Sequence, residues 1–432
     1  MLEKIRQIFK IRELRNKIFF VLGIFLIFRL MANIPMPGID AERMASFFQE
    51  FEIFRFASAF TGGALDKFSI VMLGLGPYIT AVIIMQLLTM VFPFLERLQK
   101  EEGEAGRQKI NQYGRMLAIP FALLQGYAML ALFQNQGVIA SLDAFSTVTA
   151  LATITAGTIF LMWLGELITE KGIGNGVSLL IFAGIIADFP MNTYRMILGI
   201  QDHPGAIQAY LLLFFMAAFI IFGVILFTEA RRNIPVSYAK KVRGMKLYGG
   251  ASTYLPLNLN PAGVIPIIFA FSLAFLPSII AQFFSGAGGL VGTIANFIAT
   301  SFDNLWVFGS LIFVLVFLFT YFYTAVTFDP KNVSENLKKM GGFIPGIRPG
   351  DSTTIFLSRI LNRTLFLGGL FLGVIAVMPW IIQGLIQVIT QTKIEDFQFL
   401  IGGASILIIV SVVLETIKQI NSQLQMREYE TF

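Results

Sequence analysis

Residues Gly62–Leu88 read GGALDKFSIVMLGLGPYITAVIIMQLL, a long apolar run that is broken near its middle by Gly74, Gly76 and Pro77. Proline removes a backbone donor and bends or ends a helix, and glycine weakens a helix further. We therefore expect a short half-helix before the break and a spanning helix after it. The first part alone is too short to cross a bilayer, which takes roughly 20 mainly apolar residues. It is either a re-entrant packing element or a plug that blocks a passage.

The whole chain is strongly apolar, since 56% of its 432 residues are hydrophobic and only 13% are charged. Soluble domains are about a quarter charged, so most of this chain is expected to lie in lipid. Helices satisfy their own backbone groups there, which predicts an all-α polytopic membrane protein. Ten apolar runs are candidate spans, at residues 18–34, 70–92, 116–133, 151–168, 177–187, 209–227, 262–284, 305–326, 365–382 and 399–414.

The basic residues alternate between the two sides of these spans. The N-terminus, the even-numbered loops and the C-terminal tail carry 26 of the 32 Lys and Arg residues, whereas the odd-numbered loops carry 5. Lys and Arg near the ends of spans are retained in the cytoplasm, so both termini are predicted to be cytoplasmic. Five spans in residues 1–190 and five in residues 191–432 are the pattern of an inverted-topology duplication.

Several classes of chemistry are excluded by the residue types present. The chain has no cysteine and one histidine, His203, so we expect neither a disulfide framework nor a thiolate or histidine-cluster metal site. A Walker-type GxxxxGKS or GxxxxGKT motif does not occur. The sequence therefore predicts no cofactor, no metal and no enzymatic activity.

Charges are nearly absent from the middle of the predicted spans. Arg29 lies in the outer half of the first span, Glu166 near the cytoplasmic end of the fourth and Glu415 at the end of the tenth. Ion-coupled transporters keep ionisable groups inside their spans. A secondary transporter is thus disfavoured against a passive conduit, while a membrane scaffold or insertase without a pore stays an alternative.

Two of the cytoplasmic loops, at about residues 229–261 and 328–363, are long and basic. Loops of this length usually have a function, so docking of a cytosolic partner is favoured over charge that only fixes topology. The GGFIPGIRPG stretch in the second loop predicts a defined turn, because Gly and Pro occupy most of its positions.

The Gly62–Leu88 run closely resembles a signature stretch of the SecY family, and so does FLMWLGELITEKGIGNGVSLLIFAGI at Phe160–Ile185. The stretches EGEAGRQKINQYGR at Glu102–Arg115, NPAGVIPIIFA at Asn260–Ala270 and NLKKMGGFIPGIRPGD at Asn336–Asp351 extend the resemblance over nearly the whole chain. The resemblance implies the central subunit of a protein-conducting channel in the bacterial plasma membrane. Its two five-helix halves would enclose an hourglass pore that opens sideways between the second, third, seventh and eighth spans.

The same resemblance implies a ring of aliphatic side chains at the narrowest point of the pore. The matching positions are Leu75, Ile79, Val177, Ile181, Ile268 and Ile408. Residues four apart share a helix face, which suits the pairs Leu75–Ile79 and Val177–Ile181. Apolar rings obstruct water and ions by dewetting, and flexible aliphatic side chains can part around a polypeptide. For any one of these residues taken alone and without the resemblance, ordinary helix packing is the favoured explanation.

The resemblance also assigns a plug, a lateral gate and a docking surface. The plug would be a half-helix at about residues 57–72, including Gly62, Gly63, Ala64, Leu65 and Phe68. Thr80, Gln86 and Pro266 would lie at the lateral gate, although interhelical hydrogen bonding also explains the two polar residues. Arg243, Lys246 and Arg348 would contact a cytosolic partner.

The partners implied by the resemblance are the small membrane subunits SecE and SecG, the motor ATPase SecA, ribosomes, signal peptides, unfolded polypeptides and membrane lipids. Basic loops suit the phosphates of ribosomal RNA or acidic protein faces.

Overall fold

A computed structural model describes residues 10–37, 43–44, 47–48, 54, 58, 61–139, 143–202, 207–238, 241–243, 246–248, 252–284, 289–390 and 403–430. Within these residues the chain is mainly α-helical. The helices up to residue 202 are α1 (Arg12–Ala32), α2 (Gly76–Val91), α3 (Pro93–Glu101), α4 (Gly103–Asn135), α5 (Ala144–Lys171) and α6 (Gly176–Asp202). The helices after it are α7 (Ile207–Glu229), α8 (Ile265–Phe284), α9 (Gly289–Asp303), α10 (Leu305–Thr327), α11 (Pro330–Lys339), α12 (Asp351–Thr390) and α13 (Gly403–Glu430).

Every one of the ten predicted spans overlaps a helix, while α3, α9 and α11 were not predicted. By length and composition, five helical stretches among the described residues can cross a membrane: Gly103–Asn135, Ala144–Lys171, Trp306–Lys339, Asp351–Ile382 and Ser405–Met426. Shorter apolar stretches lie at Gly76–Val91, Gly176–Met191, Phe214–Glu229, Ile265–Ala274 and Gly289–Phe302. The count of ten spans remains a prediction.

The apolar core takes side chains from both halves of the chain. One cluster of buried side chains, which we call the central cluster, includes Leu164 of α5, Ile220 of α7, Ile312 of α10 and Leu372 of α12. A second cluster packs Phe54, Phe68 and Met72 against α4 residues such as Phe133. The stretch that precedes α2 therefore lies where the two clusters meet.

The expectation of an all-α chain is wrong in the two long basic loops. Strand β1 (Arg231–Tyr238) pairs antiparallel with β4 (Ser252–Asn258) and with β5 (Gly342–Phe343), and β2 (Lys241–Arg243) pairs with β3 (Lys246–Tyr248). In β1 the alternate residues Ile234 and Val236 are buried, which is the period of a strand. They pack with Leu257, Leu337, Ile344, Leu357 and Ile360 in a small separate core.

This sheet joins the two loops into one folded unit, because β1 and β4 belong to the first loop and β5 to the second. Ser237 lies opposite Phe343 and Tyr238 opposite Gly342. The predicted turn at GGFIPGIRPG is confirmed: Gly341, Gly346 and Gly350 all have positive φ angles, which glycine adopts at little cost.

Candidate functional site

The six residues of the proposed ring all lie at or near the beginning of a helix. Leu75 immediately precedes α2, and Ile79 is in the first turn of that helix. Val177 and Ile181 are near the start of α6, Ile268 near the start of α8 and Ile408 near the start of α13. Leu75, Ile181, Ile268 and Ile408 are buried members of the central cluster, and Ile79 and Val177 are half-buried against it. The structure thus gathers all six into one apolar region, which also contains many other side chains.

The break before α2 is where the sequence places it. Gly74 has a φ of 55° and Pro77 occupies the first turn of α2, so the helix begins only at Gly76. A Cβ at Gly74 would lie 3.0 Å from the Cγ2 of Thr61. Glycine at position 74 therefore lets the chain both turn and pass close to Thr61.

The segment before the break, here called the plug segment (residues 61–75), is a succession of turns. The expectation of a regular half-helix is wrong for residues 62–72, because Gly62, Gly63 and Phe68 have positive φ angles of 67°, 72° and 47°. A right-handed helix does not accommodate such residues. Residues 57, 59 and 60 of the predicted half-helix lie outside the described residues.

Every residue assigned to the plug within this segment is buried. Ala64 belongs to the central cluster, whereas Leu65 and Phe68 belong to the second cluster. The ring of Phe68 meets that of Phe133 edge-on, with 5.5 Å between the centroids. The plug segment is consequently held on one side by the apolar region of the proposed ring and on the other by α4.

A polar contact fixes the first turn of the plug segment to α1 and α6. The Nη1 of Arg29 donates to the carbonyl oxygen of Gly62 at 2.6 Å, and its Nη2 lies 3.2 Å from the Oδ1 of Asp188. A Cβ at Gly62 would lie 2.8 Å from the Cα of Gly184, which is closer than such atoms approach. We call Arg29, Asp188 and the Gly62 carbonyl the plug clamp.

Asp188 was missed by sequence reasoning, which treated Arg29 as an isolated charge. The available signal was position, since both residues fall near the same predicted membrane surface. A charged side chain near the end of a span is expected to find a partner there.

The residues assigned to the lateral gate lie where α8 meets α2. The hydroxyl groups of Thr80 on α2 and Ser272 on α8 share a hydrogen bond of 2.7 Å. Pro266 is buried in the first turn of α8, which packs against both α2 and α4. The Oε1 of Gln86 is buried and has no hydrogen-bond partner among the described residues. Thr80 and Pro266 are therefore at the contact between the predicted gate helices, and Ser272 is a residue the sequence did not suggest.

The residues assigned to docking lie at the ends of two strands in the first basic loop and in a turn of the second. Arg243 ends β2 and pairs in register with Lys246 at the start of β3. Arg348 is exposed in the turn after β5. Its carbonyl accepts a hydrogen bond of 3.1 Å from the hydroxyl of Thr353, and the hydroxyl of Ser334 donates to the carbonyl of Gly350 at 2.8 Å. These bonds fix the backbone and leave the Arg348 guanidinium in solvent.

The fold and the site define a polytopic α-helical membrane protein with an apolar region at its centre and a folded basic unit on one side. The SecY family model matches residues 69–417. Protein translocase subunit SecY of Streptomyces scabiei is 42% identical over 446 residues, covering 100% of both chains, and that of Thermotoga maritima is 42% identical over 444 residues, covering 100% of this chain and 98% of the relative. The chain belongs to the SecY family.

Solved structures share the fold. One described as the structure of a protein conducting channel has a TM-score of 0.64 at 17% identity, covering 93% of this chain and 91% of that chain. Sec61 in the canine ribosome-channel complex has a TM-score of 0.62 at 16% identity, with the same coverage.

Proposed function

We propose that this chain is the central, pore-forming subunit of a protein-conducting channel in the bacterial plasma membrane, with both termini in the cytoplasm. Translocation of proteins is its function, as membership in the SecY family indicates. The observation that carries the proposal is that aliphatic side chains from the beginnings of α2, α6, α8 and α13 meet in one apolar cluster, which also includes Ala64 and Val71 of the plug segment.

The proposed seal has two parts. Leu75, Ile79, Val177, Ile181, Ile268 and Ile408 form an aliphatic ring that excludes water and ions by dewetting. The plug segment closes the passage beside this ring, and the plug clamp holds it in place. Because no charge lies in the ring, a polypeptide of any sequence can displace the flexible side chains.

The proposed lateral gate is the contact between α8 and the pair α2 and α4, in a chain whose halves are residues 1–190 and 191–432. In the closed state this contact includes the Thr80–Ser272 hydrogen bond. A signal peptide that inserts between α2 and α8 breaks this bond and supplies its own apolar surface in exchange. Membrane-protein segments leave through the same opening into lipid.

The channel is passive, and its energy comes from partners. The folded loop unit, with Arg243, Lys246 and Arg348, docks the motor ATPase SecA or a translating ribosome. One of the similar solved structures is that of Sec61 in a ribosome-channel complex, which supports the ribosome as a partner. SecE and SecG are the proposed membrane subunits of the complex.

Reconstitution tests the function directly. Vesicles that contain the chain with SecE and SecG, supplied with SecA, ATP and an unfolded secretory precursor, are expected to make that precursor resistant to added protease. Vesicles without ATP are the control. Accumulation of a small solute against its gradient, without import of the precursor, would overturn the proposal in favour of a secondary transporter.

A further inference from the structure

The surface of helix α9, which lies between α8 and α10 in the chain, consists of three sectors. The residues Gly292, Ala295 and Ala299 are buried, whereas Leu290, Val291, Ile294 and Phe297 are exposed and apolar. A third set, Thr293, Asn296 and Thr300, is exposed and polar. At 3.6 residues per turn each set occupies its own side of the helix.

The buried sector faces protein. Helix α9 packs against α8 and α10, and the small side chains of Gly292, Ala295 and Ala299 allow a close approach of the backbones. Near its C-terminal end the ring of Phe302 lies 5.8 Å from that of Phe308 on α10, measured between centroids. The orientation of the other two sectors is thereby fixed relative to the spanning helices.

The apolar side chains of this sector are far more exposed than apolar side chains usually are on a helix that lies in water. Leu290 is 82% exposed, Phe297 73% and Ile294 59%. The sequence has no charged residue from Pro277 to Phe302. In the polar sector the hydroxyl of Thr293 donates to the carbonyl of Gly289 at 3.1 Å, and that of Thr300 to the carbonyl of Asn296 at 2.8 Å.

The apolar sector continues into the outward surface of α10. Trp306 is 78% exposed at the start of that helix, followed by the exposed residues Val307, Val314 and Leu318. The stretch Trp306–Lys339 is long and apolar enough to cross a membrane, so this surface faces lipid. Tryptophan is enriched at the boundary between membrane and water. Helix α9 thus adjoins the start of this surface, at the end of α8 remote from β4.

We propose that α9 is an interfacial helix whose apolar sector is immersed among the acyl chains of the adjacent lipid leaflet. Its polar sector faces water and its small-residue sector packs on the protein, so the helix ties the far end of α8 to the bilayer surface. Acyl chains rather than headgroup phosphates are the binding partner, because α9 has no basic residue and its one charged residue is Asp303 at the C-terminal end.

The absence of cysteine from the chain allows single spin labels to test this placement. Leu290→Cys, Ile294→Cys and Phe297→Cys probe the apolar sector, and Thr293→Cys, Asn296→Cys and Thr300→Cys are matched controls on the same helix. The labelled chain is reconstituted with its membrane subunits, and collisions with oxygen and with a water-soluble nickel chelate are measured. We expect the ratio of oxygen to nickel collisions to be several-fold higher in the apolar sector than in the controls.

Each other outcome contradicts the proposal. Equal and high nickel accessibility in both sets would place α9 in water. Low collision rates with both reagents at positions 290, 294 and 297 would show that protein covers the apolar sector. The high ratio of oxygen to nickel collisions is expected in vesicles of purely zwitterionic lipid as well as in vesicles that include anionic lipid. Loss of the high ratio in zwitterionic vesicles would exclude binding through acyl chains alone.

Discussion

Arg29 is the residue on which the position of the plug segment depends most directly, because it donates to the backbone of Gly62 and pairs with Asp188. A hydrogen bond from a charged donor contributes about 1.5–3 kcal/mol, and a partly exposed ion pair about 0–1 kcal/mol. We therefore expect Arg29→Ala to raise the resting ion conductance of the channel about tenfold or more, since about 1.4 kcal/mol corresponds to a factor of ten. Asp188→Asn leaves the bond to Gly62 and is expected to have the smaller effect.

The control is Lys17→Ala, which removes the Lys17–Glu13 ion pair of 3.2 Å on the same helix, α1. It removes a positive charge without touching the plug segment, so the resting conductance is expected to stay at that of the unaltered chain. Conductance is measured in planar bilayers at matched channel numbers. An increase with Lys17→Ala equal to that with Arg29→Ala would mean that the plug clamp has no specific role.

Gly62 is the second residue that constrains the position of the plug segment. In Gly62→Ala the new methyl group would meet the backbone of Gly184, in addition to the cost of about 1–2 kcal/mol of holding alanine at positive φ. The matched control is Gly103→Ala, because Gly103 has a φ of 59° but no neighbouring atom within 4 Å of the place a methyl group would take. Both variants are expected to lose thermal stability, whereas only Gly62→Ala is expected to raise the resting conductance. Equal conductance in the two variants would mean that the close contact between Gly62 and α6 does not hold the channel closed.

At the scale of elements, the contact between α2 and α8 is the proposed lateral gate. Interhelical hydrogen bonds in membranes contribute about 0.6 kcal/mol on average, which corresponds to about a threefold change in an equilibrium. Thr80→Val and Ser272→Ala each remove the bond of 2.7 Å between these helices. Each is expected to raise the fraction of signal peptide cross-linked between α2 and α8 about threefold at subsaturating peptide.

The double variant distinguishes this bond from a general loosening of the helices. Because Thr80 and Ser272 share one bond, the double variant is expected to gain little beyond either single variant. Thr364→Val is the control, since the Thr364 hydroxyl bonds within α12 to the carbonyl of Ile360. Fully additive effects of the two gate substitutions would contradict the assignment.

The sequence predicted elements well where local composition decides the structure. The apolar runs between charged loops predict a helix at each span, and a helix is found at each of them. The break at Gly74, Gly76 and Pro77 correctly predicts where α2 begins. Two features depend on contacts between distant segments and were not foreseen. The plug segment forms turns in which Gly62 passes close to Gly184, and β1 pairs with β5 across about a hundred residues of chain. Asp188 escaped notice for the same reason, since its partner is on α1.

At the scale of the whole molecule, the sheet that joins the two basic loops connects the proposed docking turn at Arg348 to a helix of the apolar core. Its core packs Ile234 and Leu257 against Leu357 and Ile360 of α12. A partner that binds the exposed turn at Arg348 therefore contacts a unit continuous with a helix of the second half.

We expect Arg348→Glu to weaken binding of the ribosome or the motor without changing the resting conductance. If Arg348 contacts a ribosomal RNA phosphate, the slope of log affinity against log salt falls by about 1. Lys331→Glu makes the same charge change at an exposed position in α11 and is the control. A loss of affinity that is equal in the two variants would reduce the role of Arg348 to general positive charge.

The proposed ring can be tested only in the whole folded molecule, because its residues come from helices of both halves. Ile79→Gly and Ile181→Gly shorten side chains on α2 and α6, and Ile408→Gly does so on α13. If these residues share one constriction, each substitution widens a wetted path and raises ion conductance while a precursor is being translocated, when the plug segment cannot compensate. Ile360→Gly, which removes a buried isoleucine from the small core of the loop unit, is the control for lost stability. A membrane scaffold or insertase without a pore predicts unchanged conductance in all four variants. A pore predicts an increase in conductance in the three ring variants and none in Ile360→Gly. The double variant of Ile79→Gly and Ile181→Gly is expected to conduct more than either single variant, because both residues lie on the same passage.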